Sequence, residues 1–253
     1  MSTPIRADVM DEAVRLLAAA TAAGITVRLI GGTAIRLHAG TRVELFAREI
    51  RDIDLVAGRG HGRRVAEFLE SQAYAPNRTF NAMHGARRLL FYDEPNGRQV
   101  DVFIHTFEMC HVLPLGEYLE HTTHTVALAD LLLTKLQIVA LNEKDRHDSY
   151  VLLLEHEVGA GSEELIDAGR IADLCARDWG LYRTTQINLE RLLSGLSASG
   201  LSEADQRLAA GRIGEIVTAI DATPKSVRWR ARARVGDRVR WYEEPDEVDR
   251  GRY

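Results

Sequence analysis

Three aspartates and a pair of glycines carry the chemistry this chain can be read for. Gly31-Gly32-Thr33 closes the apolar run 25–30, Asp52 and Asp54 stand two apart in RDIDLV, and Asp101 lies inside QVDVFI. On a strand, side chains two apart point to one face, so Asp52 and Asp54 can hold a divalent cation between them. A carboxylate on a neighbouring strand, Asp101, completes a hard, all-oxygen ligand set. Such a set suits Mg²⁺, or Mn²⁺ in its place, which binds carboxylates together with phosphate oxygens and keeps part of its water shell. Asp101 is flanked by Val100, Val102, Phe103 and Ile104, and a charge among apolar neighbours requires a cation or another partner. The glycines fall where a strand turns into a helix. Glycine lets the backbone approach closely there, and the open N–H groups of the helix start suit a phosphate.

A mixed sheet is needed to bring these groups together. Apolar spacing predicts a helix over 9–23 with Gly24 just past its end, a strand over 25–30 and a short helix over 34–38. An arginine-bearing connection through Arg42 and Arg48 leads to a strand over 52–56, and a helix follows over 63–72. Residues 87–92 and 98–104 flank the turn-forming segment DEPNG, the pattern of two antiparallel strands. Beyond about residue 110 helical spacing dominates, over 128–141, 150–157, 162–177, 185–193 and 203–220. The expected fold class is therefore α/β (α+β): a catalytic domain at 1–110, a helical domain at 111–222 that contributes to the site, and a basic then acidic segment at 223–253.

Composition narrows the class. With 253 residues and 45% hydrophobic content the chain can bury a sizeable core. It has no apolar run long enough for a membrane span and no basic-then-apolar start, so a cytoplasmic protein without a membrane partner is expected. Cys110 and Cys175 are too few for a disulfide framework. His105, His111, His121 and His124 match no zinc-site spacing. Trp179 and Tyr182 read as helical core or its margin. A net charge of −5 argues against a uniformly basic nucleic-acid binder, but charge is unevenly placed. In 223–242 seven basic side chains stand against one acid, Asp237, and Arg228, Arg230, Arg232 and Arg234 alternate with other residues. On an extended segment that alternation would make a guanidinium row fit for an RNA backbone. The competing reading pairs these arginines with Glu243, Glu244, Asp246, Glu247 and Asp249.

The pattern GGTAIRLHAG, REIRDIDLV and VDVF, followed by LADLLLTKLQIVALNEKDRHDSYVLL, resembles the DNA-polymerase-β-like nucleotidyltransferase superfamily. Within it, the pattern is most similar to the AbiEii and MenT toxins of bacterial toxin–antitoxin systems, over roughly residues 25–155. The resemblance implies that Gly31, Gly32 and Thr33 grip a nucleoside triphosphate, that Asp52 and Asp54 bind metal, and that a later helix supplies a lysine and an aspartate. Lys135 matches the lysine, and Lys144-Asp145-x-x-Asp148 matches the acidic element. On one continuous helix Asp145 would lie within about 80° of Lys135 while Asp148 would turn away, so convergence of Asp148 needs a break near Asn142. Unaided by the resemblance, Lys135 also reads as a lysine snorkelling from an apolar helix edge, and Asp145 and Asp148 as a solvated charge cluster. Nineteen residues separate Gly32 from Asp52, so the loop bearing Arg42 and Arg48 must fold back.

The expected activity is transfer of a nucleoside monophosphate from an NTP to an acceptor hydroxyl, with Asp52, Asp54, Asp101 and Lys135 as the catalytic set and Asp101 as the acid placed to take the hydroxyl proton. Resemblance and basic residues 225–240 together point to an RNA acceptor, a tRNA 3′ end, and the toxin likeness implies a cognate antitoxin. A small-molecule acceptor of the antibiotic-resistance type and a non-catalytic nucleotide-binding module are the alternatives.

Overall fold

The computed structural model describes residues 4–40 and 48–244. Helix α1 (Val9–Ala22) starts where Asp8 accepts from the amides of Met10 and Asp11. It buries Ala13, Leu16, Leu17 and Ala20 at helical spacing and stops before Gly24, whose φ of 64° only glycine adopts cheaply. The chain then runs β1 (Val27–Ile30), α2 (Gly31–His38), β2 (Ile53–Ala57), α3 (Gly62–Ser71), β3 (Ala75–Pro76), α4 (Arg78–His84), β4 (Arg88–Asp93) and β5 (Arg98–Ile104). A small hairpin follows, β6 (Phe107–Glu108) and β7 (Val112–Leu113). Six α-helices complete the described part, α5 (Leu128–Leu136), α6 (Glu143–Glu155), α7 (Ala168–Arg177), α8 (Trp179–Gly195), α9 (Glu203–Ala222) and α10 (Val227–Val235), the last packed against α8.

The main sheet is mixed and five-stranded, in the order β1-β2-β5-β4-β3. Only β2 and β5 run parallel; the other pairs are antiparallel. Register places Ile30 opposite Asp54, Asp54 beside Asp101, and Asp101 opposite Leu90 in one row. Pleating sends the adjacent row, Ile53, Val100 and Phe91, to the other face, where all three are fully buried. Each such side chain contributes about 2 kcal/mol of burial. One apolar cluster runs from Ala13 through the sheet to Ile220, so the helical part packs directly on the sheet part.

Several helices differ from the spacing-based reading. The segment expected as one helix over 128–141 ends at Leu136, and the next begins at Glu143, because Asn142 Oδ1 caps it by accepting from the Asp145 amide. Helix α7 begins only at Ala168, after Asp167 caps it, and α8 begins at Trp179. Helix α4 was not legible at all. The extended arginine row is overturned: residues 227–235 are helix α10, capped by Ser226, with arginines and alanines that favour a helix. Side chains two apart on a helix diverge by about 200°, so Arg228 to Arg234 cannot form one row. Arg232 is spent internally, donating to the carbonyls of Gly236 and Val239 and lying 4.2 Å over the Trp179 ring. Of the acidic residues proposed to pair with this stretch, Glu244 holds Arg240 at 2.8 Å; Asp246, Glu247 and Asp249 lie outside the described residues, as does Arg42. Among the described residues no helix is long and apolar enough to cross a membrane.

Candidate active site

Helix α2 starts directly at the end of β1, with no residue to spare for a loop. Gly31 makes the turn at φ 65°, and no side chain caps the first amides of α2. Antiparallel pairing sets Ile30 against Asp54, so Gly31 lies against the Asp54 carboxyl, and a Cβ on Gly31 would collide with Asp54 Oδ2. At Gly32 a Cβ would press on the Arg48 guanidinium at 3.2 Å. Glycine is required at the first position by conformation and by space together. Gly31→Ala is expected to lose about 1–3 kcal/mol of stability and to displace Asp54, measurable as a lowered Tm together with lost activity. An unchanged Tm would show that the turn tolerates a side chain.

The sheet register delivers the three acids as the sequence pattern requires. Asp54 and Asp101 are neighbours across the parallel pair β2–β5, and Asp52, just before β2, is close enough for its charge to act on Asp54. Asp52 Oδ1 accepts from the Gln99 amide at 3.4 Å. Asp101 is buried, and both its oxygens are held: Oδ1 by Arg88 Nε at 2.7 Å and Oδ2 by Gln99 Nε2 at 2.6 Å. Burial first, then the charges of Asp101 and Asp52, push the Asp54 carboxyl up to about 7; Lys135 and Arg88 only partly oppose them. These carboxylates carry more negative charge than their surroundings neutralise, so an added divalent cation fits them. Among the described residues no group of three or more Asp, Glu, His or Cys side chains is arranged to hold a metal ion. Mg²⁺ takes one or two carboxylates and completes its shell with phosphate and water.

On the other flank of Asp54 lies a chain of buried charges. Lys135 Nζ sits between Asp145 Oδ1 and Asp148 Oδ2, 2.9 Å from each, and all three residues are buried. The helix break at 137–142 makes this possible, since α6 returns beside α5 and turns both acids toward the lysine. Arg48 closes the chain, its Nη2 2.8 Å from Asp148 Oδ2. Arg48 and Ile50 thus sit beside the glycine turn at Gly32, while residues 41–47 lie outside the described residues. Burial alone would push the Lys135 ammonium down, but Asp148 and Asp145 outweigh it and hold its pKa above the ordinary value. Neither the snorkelling lysine nor the solvated acid cluster is present. Thr33 is buried, its hydroxyl 3.4 Å from the Ile30 carbonyl, and it secures the turn from inside.

Arg88 carried no sequence signal, because its place beside Asp101 is set by the pairing of β4 with β5, whereas Gln99 stands two residues before Asp101 on β5 and follows from strand alternation. His111 bonds Thr184, Trp179 is buried, and Trp229 donates from its ring to the Cys175 carbonyl, so these groups serve packing. No protein-family model matches the chain, and no curated protein matches it.

Proposed function

We propose that the chain is a Mg²⁺-dependent nucleotidyltransferase that moves a nucleoside monophosphate from an NTP to an acceptor hydroxyl. One observation carries this reading. An uncapped glycine turn lies directly against Asp54 in a row with Asp101, and Lys135 and Arg48 lie on the same flank as that turn. Phosphate oxygens suit the amides of Gly31 and Gly32 at the start of α2. Lys135 and Arg48 are held in place by Asp145 and Asp148, so hydrogen bonds from them to the triphosphate would not require ordering on binding. Asp52, Asp54 and Asp101 would hold Mg²⁺, or Mn²⁺, which supplies charge neutralisation for the phosphoryl oxygens and the leaving group. The acceptor oxygen bonds to the α-phosphorus, the bond to the β-phosphate oxygen breaks and pyrophosphate departs. The hydroxyl proton passes to Asp101, whose Oδ1 is a hydrogen-bond acceptor of Arg88 before the reaction.

An RNA acceptor, a tRNA 3′ end, and a cognate antitoxin are further parts of this proposal that rest on the resemblance, since helix α10 removes the arginine row. The small-molecule acceptor is the competing reading. Purified protein incubated with labelled NTPs and either total RNA or a panel of small hydroxylated amines separates them. Label in RNA is expected; label only in small molecules would replace the acceptor class while keeping the reaction.

A further inference from the structure

The strand order fixes the side from which an acceptor can come. The glycine turn, Lys135 and Arg48 lie on the β1 side of Asp54 and claim the triphosphate. In-line displacement puts the attacking hydroxyl opposite the leaving pyrophosphate. The acceptor must therefore approach across β5, β4 and β3. A cavity of about 850 Å³ opens there, lined by Asp52, Gln99, Tyr92, Ala75, Arg51 and Arg78 among others. Register makes it continuous with the acids: Gln99 pairs with Tyr92 and Tyr92 with Ala75, one pleat out from the row of Asp54, Asp101 and Leu90 and on the same face. Asp52 lines the cavity and belongs to the acid set, so the two spaces share a wall. Tyr92 lies two strand spacings from Asp52, about 10 Å, the reach of one nucleotide and its neighbour.

We infer that this cavity is the acceptor site and takes the single-stranded end of a nucleic acid, with Tyr92 under a base and Arg51 and Arg78 on the backbone phosphates, an inference resting on the nucleotidyl-transfer reading. The half-buried Tyr92 ring is held by Asn77, whose amide donates to its hydroxyl at 3.2 Å, which keeps an aromatic surface in place for stacking. Arg78 is exposed and has no ion-pair partner among the described residues. Arg51 pairs with Glu49 at 2.7 Å, but both side chains are largely exposed, and such a pair exchanges readily for a phosphate. The other charges on the wall are Glu94 at the rim and the buried pair of Arg98 with Asp93, which is already neutral. A polycationic acceptor would need several unpaired acids here, and Asp52 and Glu94 do not supply a ring of them.

The test is fluorescence anisotropy of a labelled single-stranded RNA octamer with full-length protein, without NTP, at several salt concentrations. Arg51→Gln/Arg78→Gln is expected to weaken binding and to flatten the log–log salt dependence by about 1.4, the value for two phosphates on a single strand. Tyr92→Leu is expected to weaken binding about tenfold without changing that slope. Since Arg51 and Arg78 are exposed, both proteins should melt together. Identical curves for wild type and the double variant, or no octamer binding by wild type, would overturn the inference. Binding that depends on Arg51 and Arg78 in a protein that transfers no nucleotide would uphold the cavity and sink the reaction instead.

Discussion

Asp54→Ala is expected to abolish transfer and leave the fold intact, with a Tm above wild type at pH 8. The activity loss should exceed about 10³-fold, beyond what one lost hydrogen-bond donor costs, because Asp54 is the acid shared by the glycine turn and the Asp101 row. Stability moves the other way for an electrostatic reason. The folded-state pKa of Asp54 is raised from 3.8 to about 7 by burial and by Asp101 and Asp52. A raised acid binds protons more tightly in the folded chain, so stability falls as pH rises through that window, and the cost is full above it. About three pKa steps correspond to at most about 4 kcal/mol, which the alanine removes. The Tm advantage should therefore vanish near pH 4. Mg²⁺ should raise the Tm of wild type at pH 8 and not that of Asp54→Ala. Transfer at a wild-type rate by the alanine protein, or an equal response of both to Mg²⁺, contradicts the assignment.

Lys135→Ala is expected to be costly in both respects. Removing the ammonium leaves Asp145 and Asp148 buried and facing each other, a loss of about 3–5 kcal/mol. Because the Lys135 pKa is raised above 10.5, its contribution is fully present at neutral pH and is lost only at higher alkalinity. Triphosphate use should fall with it. Lys135→Arg keeps the charge and so separates the two effects. It should retain more of the Tm than alanine does, while nucleotide KM rises, because a planar fork does not sit at one point between two carboxylates. An alanine variant with wild-type Tm and wild-type nucleotide KM would contradict both the stabilising and the triphosphate-binding role of Lys135.

Local chemistry made much of the sheet half legible. Gly24 and Gly97 stop elements at positive φ where turn residues stood in the sequence, and DEPNG joins the antiparallel pair β4–β5. The Asp-x-Asp spacing put Asp54 on β2 beside Asp101, with Asp52 just before the strand. Tertiary decisions were less readable. Lys135 looked like an edge residue because its two partners come from another helix, and only the Asn142 cap reveals that α6 turns back. Arg88 reaches Asp101 through pairing of segments thirteen residues apart in sequence, and nothing local marks it. The arginine alternation at 228–234 fitted a strand period, but helix propensity, the Ser226 cap and the packing of Trp229 on Tyr182 decided for a helix.

Purified protein with Mg²⁺ and RNA can be given NTP labelled at either the α- or the γ-phosphate. Nucleotidyl transfer puts α-label in the acceptor and γ-label only in released pyrophosphate, with one pyrophosphate for each nucleotide transferred, and neither signal is expected from Asp54→Ala. Label from the γ-phosphate in the acceptor would make the protein a kinase, and no label in any acceptor with any of the NTPs would leave the acid row without the reaction assigned to it.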